Sequence, residues 1–282
     1  MNLLIEKSPM TGFCFGVKRA IESLEEVARE REQIETLGAV VHNRQVMQRL
    51  ADIGIKVADS VEEIKGNTVV ISAHGVGPQV EEEIRKRNIE IINYTCSFVK
   101  RAQTAARRLA RAGFFVIVHG DVNHPEVKGI LGWADGKGLA TMDIDSLTTL
   151  DNFPRRIGVL SQTTQIPAFF TTFVKNLVDH ALNKDTEIRI IDTICHDIRE
   201  RQKVTLDLAS KVDIMLVIGS NTSANTNHLA KMCATATKTY QVETADEIQP
   251  SWFKGSEHVG VTSGTSAAEE TINEVVFRLE SL

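Results

Sequence analysis

Residues 96–129 read CSFVKRAQTAARRLARAGFFVIVHGDVNHPEVKG. Val99, Ala102, Ala106, Leu109 and Ala110 recur at three- and four-residue steps, which lays one apolar stripe along a helix. Phe114 to Val118 is an apolar run of strand length, and it ends at once in His119-Gly120-Asp121. A polar loop stiffened by Pro125 follows. Helical stretch, strand and polar loop in this order make the building unit of an α/β domain with a largely parallel sheet.

The unit recurs. Cys14 opens CFGVKRAIESLEEVARE, Cys96 opens CSFVKRAQTAARRLARAG and Cys195 opens CHDIRERQKVTLDLASK. Each reads Cys, two variable residues, a β-branched residue and a basic one. The first helix carries Val17, Ala20, Ile21, Leu24, Val27 and Ala28 on one face, whereas the third, with Ile198, Val204 and Leu208, is less regular. Strand-like runs at 91–94 and 188–191 directly precede Cys96 and Cys195, and Leu3-Leu4-Ile5 lies ahead of Cys14 across a loop with Pro9 and Gly12. Each repeat also holds two strand-plus-loop segments: LGAVVHNR and VVISAHGVG, then VIVHGDVNHPEVKG and IGVLSQTTQ, then MLVIGSNTSANTNH and VGVTSGTSAAE. These predict three α/β lobes around a central site, 1–97, 98–194 and 195–282, with the N-terminal strand able to complete the third. Ligands of open α/β sheets bind beyond the carboxyl ends of strands, where all six polar loops fall.

A chain of 282 residues, 42% hydrophobic and 24% charged, has the length and apolar content for a substantial core. No apolar run approaches the ~18 residues of a membrane span. The start, MNLLIEKSPMTGFCFG, shows neither a basic leader nor a small-residue cleavage site, so a cytoplasmic location is expected. A net charge of -5 argues against nucleic-acid or anionic-membrane partners, which need a basic surface to displace counterions, while a local basic patch is compatible with it.

In a reducing compartment a lone cysteine is more often a small core residue than a ligand, and Cys233, within HLAKMCATAT, is read that way. Cys14, Cys96 and Cys195 differ because each is a candidate helix N-terminal residue. There the free N–H groups and the helix dipole favour the thiolate, the form that binds metal. Their spacings of 82 and 99 residues contain no CxxC knuckle, which speaks against a local zinc ribbon. Three thiolates from three lobes could hold zinc with a histidine, or an iron–sulfur cluster with one iron left open. The loops Val41-His42-Asn43-Arg44, Ala73-His74-Gly75-Val76, Asn123-His124-Pro125-Glu126 and Ser220 to Asn225 bring imidazoles, hydroxyls and amides suited to an oxyanion. Glu126, beside Pro125, is placed to donate a proton there. Ser161 to Thr164 and Thr262 to Ser266 add hydroxyls. Dinucleotide, P-loop and HExxH signatures are absent from the sequence.

Taken in order, Gly12-Phe13-Cys14-Phe15-Gly16-Val17, Val40-Val41-His42-Asn43-Arg44, Ser72-Ala73-His74-Gly75-Val76, Thr95-Cys96, His124-Pro125-Glu126-Val127, Gln162-Thr163-Thr164, Thr193-Ile194-Cys195 and the loop from Ser223 to Asn227 resemble the 4-hydroxy-3-methylbut-2-enyl diphosphate reductase family over essentially the whole chain. The resemblance implies pseudo-threefold lobes around one [4Fe-4S] cluster per chain, held by Cys14, Cys96 and Cys195. It implies a diphosphate gripped by His42, His74, Ser223, Asn225 and Ser266, a pocket lined by His124 and Thr163, and Glu126 as proton source. The implied reaction is reductive dehydroxylation of the allylic diphosphate to isopentenyl and dimethylallyl diphosphate, the last step of the non-mevalonate isoprenoid pathway, with reduced ferredoxin or flavodoxin as donor. Two departures stand out: Ala224 replaces a serine usual in the family, and Asp197-Ile198 replaces Ala-Thr. Activity is expected to survive both. The competing readings are an iron–sulfur redox sensor, which has no need of His124-Pro125-Glu126, and a zinc-dependent phosphoester hydrolase.

Overall fold

The computed structural model describes residues 3–31, 33–148, 153–182 and 185–282. Its helices are α1 (Phe15–Glu30), α2 (Arg44–Asp52), α3 (Pro78–Lys86), α4 (Ser97–Arg111), α5 (Pro125–Gly132), α6 (Asp145–Thr148), α7 (Pro167–Ala181), α8 (His196–Ala209), α9 (Ala224–Cys233) and α10 (Glu269–Glu280). The strands form three four-stranded parallel sheets, so the fold is α/β. Two compact units contain them: Met1–Ile21 with Val40–Asp52 and His196–Leu282, and Glu22–Ala39 with Ile53–Cys195.

The first unit holds β1 (Leu4–Lys7), β10 (Ile214–Ile218), β11 (Lys238–Val242) and β12 (His258–Ser263) in the order β1-β12-β10-β11. The second holds two sheets. One is β3-β2-β4-β5, from β2 (Ile34–Leu37), β3 (Ile55–Ala58), β4 (Thr68–Ile71) and β5 (Glu90–Asn93). The other is β7-β6-β8-β9, from β6 (Phe115–His119), β7 (Gly138–Thr141), β8 (Arg156–Ser161) and β9 (Glu187–Ile190).

All three sheets share one plan: the second strand of the repeat, the first, the third, then a fourth. In the first unit β1 fills the fourth place, pairing Leu4 to His258 and Lys7 to Val261. The chain reverses its winding direction between the first and third strands, and the crevice beyond their carboxyl ends is where such sheets bind ligands. The central strands β4, β10 and β6 are buried almost throughout, as continuous apolar runs covered on both faces require.

The opening stretch folds as its period dictates. Ala102, Ala106, Leu109 and Ala110 of α4 are buried against Val116, Val118 and Leu160 of β6 and β8, and Val127 and Ile130 of α5 join the same cluster. Fully burying each large aliphatic side chain of this kind contributes about 1.5–3 kcal/mol. The small alanines let α4 lie close to the sheet, and β8 answers with Gly158, where a Cβ would meet the Leu109 side chain 2.6 Å away.

Candidate active site

Each predicted cysteine ligand, substrate-binding residue and acid follows the carboxyl end of a first, third or fourth strand. His42, His124 and Ser223 come after the first strands β2, β6 and β10; His74, Thr163 and Ser266 come after the third strands β4, β8 and β12. The cysteines come after the fourth strands: Cys14 after β1, Cys96 after β5 and Cys195 after β9, each immediately before a helix, α1, α4 and α8.

One hydrogen bond fixes each cysteine in the same way. The Cys14 N–H donates to Thr265 O at 3.4 Å, Cys96 to Ala73 O at 3.1 Å and Cys195 to Thr163 O at 2.9 Å. In each sheet the acceptor lies two residues beyond the third strand, so the cysteine loop is pinned to the loop carrying Ser266, His74 or Thr163 itself. All four cysteines are thiols. Cys14 and Cys96 are half-buried and Cys195 is buried at the mouth of its helix. Cys233 is fully buried in the apolar cluster of Leu208, Met215, Val217 and Leu229, and burial pushes its thiol up to about 12. Thiols buried in apolar surroundings of this kind are generally inert.

In the second unit, His124 caps α5 by accepting the Glu126 N–H on Nδ1 at 3.2 Å, with Pro125 at the first helical position. That turn carries the Glu126 carboxyl inward, where it is 2% exposed. Oε1 accepts the Thr163 N–H at 2.7 Å and Oε2 the Thr163 hydroxyl at 2.9 Å. Both bonds favour the carboxylate, but burial outweighs them and raises the group from 4.5 to about 7. Glu126 is therefore poised to carry and release a proton near neutrality. The His74 ring lies edge-on to His124, centroids 5.4 Å apart, and Ser72 Oγ is 3.4 Å from His74 Nδ1. The turn after His74 needs Gly75, at φ +68°, where a Cβ would come within 2.7 Å of Thr95 and 2.6 Å of the Gln103 amide.

In the first unit, Asn43 donates from Nδ2 to Ser266 O at 2.8 Å and accepts the Val46 N–H at 3.1 Å, tying the His42 loop to the Ser266 loop while opening α2. Burial holds the half-buried His42 imidazole below its ordinary range. Ser223 caps α9, its hydroxyl accepting from Thr226 N at 3.4 Å. Asn225, 3% exposed, has neither Oδ1 nor Nδ2 in a hydrogen bond among the described residues. A buried amide without a partner costs about 1–3 kcal/mol, so its presence beside the first-turn N–H groups of α9 marks a place built for a polar guest. Ala224 occupies the first helical position, where its own N–H is one of those groups.

The sequence reading missed Arg201. This 3% exposed guanidinium donates to Met10 O and Ser263 O at 3.0 Å and to Gly12 O at 2.9 Å, clasping the loop that leads to Cys14. Its place on the inner face of α8 broke the apolar period, and that break was the available signal. Asp197, four residues before it, sits half-exposed in the first turn of α8, where a negative charge suits the helix dipole; Ile198 is buried.

These features have relatives. The LytB protein family model matches residues 5–280. A protein of Dehalococcoides mccartyi named 4-hydroxy-3-methylbut-2-enyl diphosphate reductase is 56% identical over 278 residues, 99% of this chain and 98% of the relative. One of the same name from Aquifex aeolicus is 37% identical over 276 residues, 96% and 94% of the two chains. A solved structure of (E)-4-hydroxy-3-methyl-but-2-enyl diphosphate reductase, described as the terminal enzyme of the non-mevalonate pathway, covers 99% of this chain and 100% of its own at 36% identity and a TM-score of 0.71. A reductase structure from Plasmodium falciparum, 24% identical, shares the fold at a TM-score of 0.90 over 98% of this chain and 88% of its own. With strand ends, pinned cysteines and whole-length matches in agreement, this chain belongs to the LytB protein family.

Proposed function

We propose that the chain reduces 4-hydroxy-3-methylbut-2-enyl diphosphate to isopentenyl and dimethylallyl diphosphate on a [4Fe-4S] cluster held by Cys14, Cys96 and Cys195. Two electrons and two protons enter, the allylic C–O bond breaks, a C–H bond forms and water leaves. The donor set suits the group: three thiols at helix starts, pinned by the same backbone bond, with the fourth cysteine locked away in core. When bound, such a cluster supplies single electrons and an open iron that acts as a Lewis acid toward the hydroxyl.

The remaining work falls to side chains. His42, His74, Ser223, Asn225 and Ser266 hold the diphosphate, with Asn225 gaining the partners it lacks. His124 and Thr163 line the pocket, and Glu126 gives a proton to the departing oxygen. The observation that carries this reading is the buried Glu126–Thr163 pair, because a carboxyl group raised to about 7 is an acid available at neutral pH. The electrons come from a separate reduced carrier, a ferredoxin or flavodoxin, as the resemblance to the reductase family implies. The three lobes (1–97, 98–194, 195–282) and a cytoplasmic setting belong to the same proposal; among the described residues no helix is long and apolar enough to cross a membrane.

Anaerobically purified protein, given the allylic diphosphate and a strong chemical reductant, should form both products. Glu126→Gln should keep its iron and sulfide and bind substrate, yet turn over ~100-fold more slowly. An intact cluster with no product would overturn the enzymatic reading, and near-normal turnover of the variant would remove Glu126 from it.

A further inference from the structure

The helix that begins at Cys96 carries a charge the rest of the chain does not share. Lys100, Arg101, Arg107, Arg108 and Arg111 are its only charged residues, and it has no acid. The whole chain has 32 basic and 37 acidic residues, so removing these five leaves 27 against 37: a +5 helix on a body of -10. At ~100° per residue the five fall within an arc of about 120°, opposite the stripe that packs on β6 and β8. All five are exposed, and none is in an ion pair among the described residues. By contrast, Arg85 and Lys86 on α3 are neutralised by Glu81 and Glu82.

Beside this face lies a groove of about 410 Å³ lined by Arg107, Arg111, Trp133, Asp135 and Lys137. Arg107 stacks over the Trp133 ring at 5.4 Å, and the indole N–H donates to Val76 O at 3.1 Å. Gln103, on the inner face of the same helix, donates to the same carbonyl at 3.3 Å. The basic face is thus fastened to the loop that carries His74 and, through Ala73 O, to Cys96 itself.

We propose that this face of α4, with the Trp133 groove, is the docking surface for a small acidic one-electron carrier protein. The proposal rests on the reductase reading, which needs electrons from outside the chain. Fifteen residues span ~22 Å. Weak electron-transfer encounters bury less than ~1,200 Å² in total, a footprint of comparable width. A carrier held by Arg107, Arg108 and Arg111 therefore reaches to the N-terminal end of the helix, where Cys96 stands. Charge complementarity of this kind speeds encounter and fades with salt, which suits a partner that must arrive, deliver one electron and leave.

The test compares two reductants on the holoenzyme: a reduced acidic ferredoxin or flavodoxin, and dithionite with methyl viologen. Arg107→Glu/Arg111→Glu should lower carrier-driven turnover at low salt by ~10-fold or more, with viologen-driven turnover unchanged. Wild-type carrier-driven turnover should fall steeply with ionic strength, and the variant's should not. Arg85→Glu/Lys86→Glu, on the neutralised helix, should leave both rates as they are. Equal carrier-driven rates in wild type and the α4 variant would overturn the proposal, as would a loss shared by the α3 variant. Binding of the oxidised carrier, followed by fluorescence anisotropy, gives a readout independent of turnover. An α4 variant that binds the carrier as tightly as wild type overturns the docking surface even if turnover is impaired. So does a wild-type face that binds a DNA oligonucleotide as tightly as the carrier. Absence of product with viologen in the wild type would sink the reductase reading while leaving the binding result to stand by itself.

Discussion

The helices that follow Cys96 and Cys195 begin alike and end differently. Both start directly after a cysteine whose N–H is pinned two residues beyond a third strand. α4 then buries Val99, Ala102, Ala106, Leu109 and Ala110 at regular steps. α8 instead buries Arg201, Gln202 and Thr205 alongside Ile198 and Leu208. The first rests on an apolar sheet face and keeps its cations in water. The second turns a cation inward, where Met10 and Gly12 in the loop before Cys14 and Ser263 at the end of β12 present their carbonyls to it. The same supersecondary unit therefore supports packing in one place and polar clasping in the other.

The largest effect should come from breaking the clasp. Arg201→Met leaves the carbonyls of Met10, Gly12 and Ser263 without their donors and should cost about 3–5 kcal/mol, read from the denaturant midpoint. A cost below 1 kcal/mol would mean that water replaces the guanidinium and that the clasp is incidental.

Glu126 extends the contrast, being a buried charge-capable group whose partners fail to keep it ionised. Its folded-state value lies above the ordinary one, so its contribution to stability is full below pH 4.5 and is lost as pH rises through about 7. The loss is about 3 kcal/mol in order of magnitude. Glu126→Gln should flatten this part of the stability profile, measured on cluster-free protein from pH 4 to 8; a variant profile parallel to wild type would contradict the burial argument.

On the apolar side, Leu109→Ala opens space between α4 and Gly158 and should cost about 2–3 kcal/mol without altering iron content. Calorimetry and metal analysis together check both halves. The smallest effect belongs to Asp197→Ala, which removes the acid from the first turn of α8, a turn that in α4 has none. It should cost about 0.3–1 kcal/mol at low salt and less at high salt. A larger loss would assign Asp197 a role beyond the dipole, such as partnering Arg201.

How much of this could be read in the sequence follows the same division. Periodic apolar residues announced α4 and β6, because a regular stripe has a single physical explanation, burial against a sheet. The cysteine joints were legible because the repeat aligned them. The loops after β2, β4, β6, β8, β10 and β12 announced themselves by following β-branched runs. Arg201 did not, since an arginine inside an irregular helical stretch looks like a solvated residue until the carbonyls it serves are placed around it. Nor did the hydrogen bonds of Asn43 and Glu126, whose partners lie 223 and 37 residues away. A sequence exposes such partners only through the fold. Ala224, the departure from the resembled pattern, is the first residue of α9 and offers a backbone N–H in its own right.

The central claim is that three pinned cysteines, and not the fourth, hold the redox centre. Iron and sulfide measured per chain in anaerobically purified wild type and in Cys14→Ala, Cys96→Ala, Cys195→Ala and Cys233→Ala test it most directly. Wild type and Cys233→Ala should carry a full complement, and the other three should be depleted. Zinc without sulfide in the wild type, or iron lost with Cys233, would contradict it.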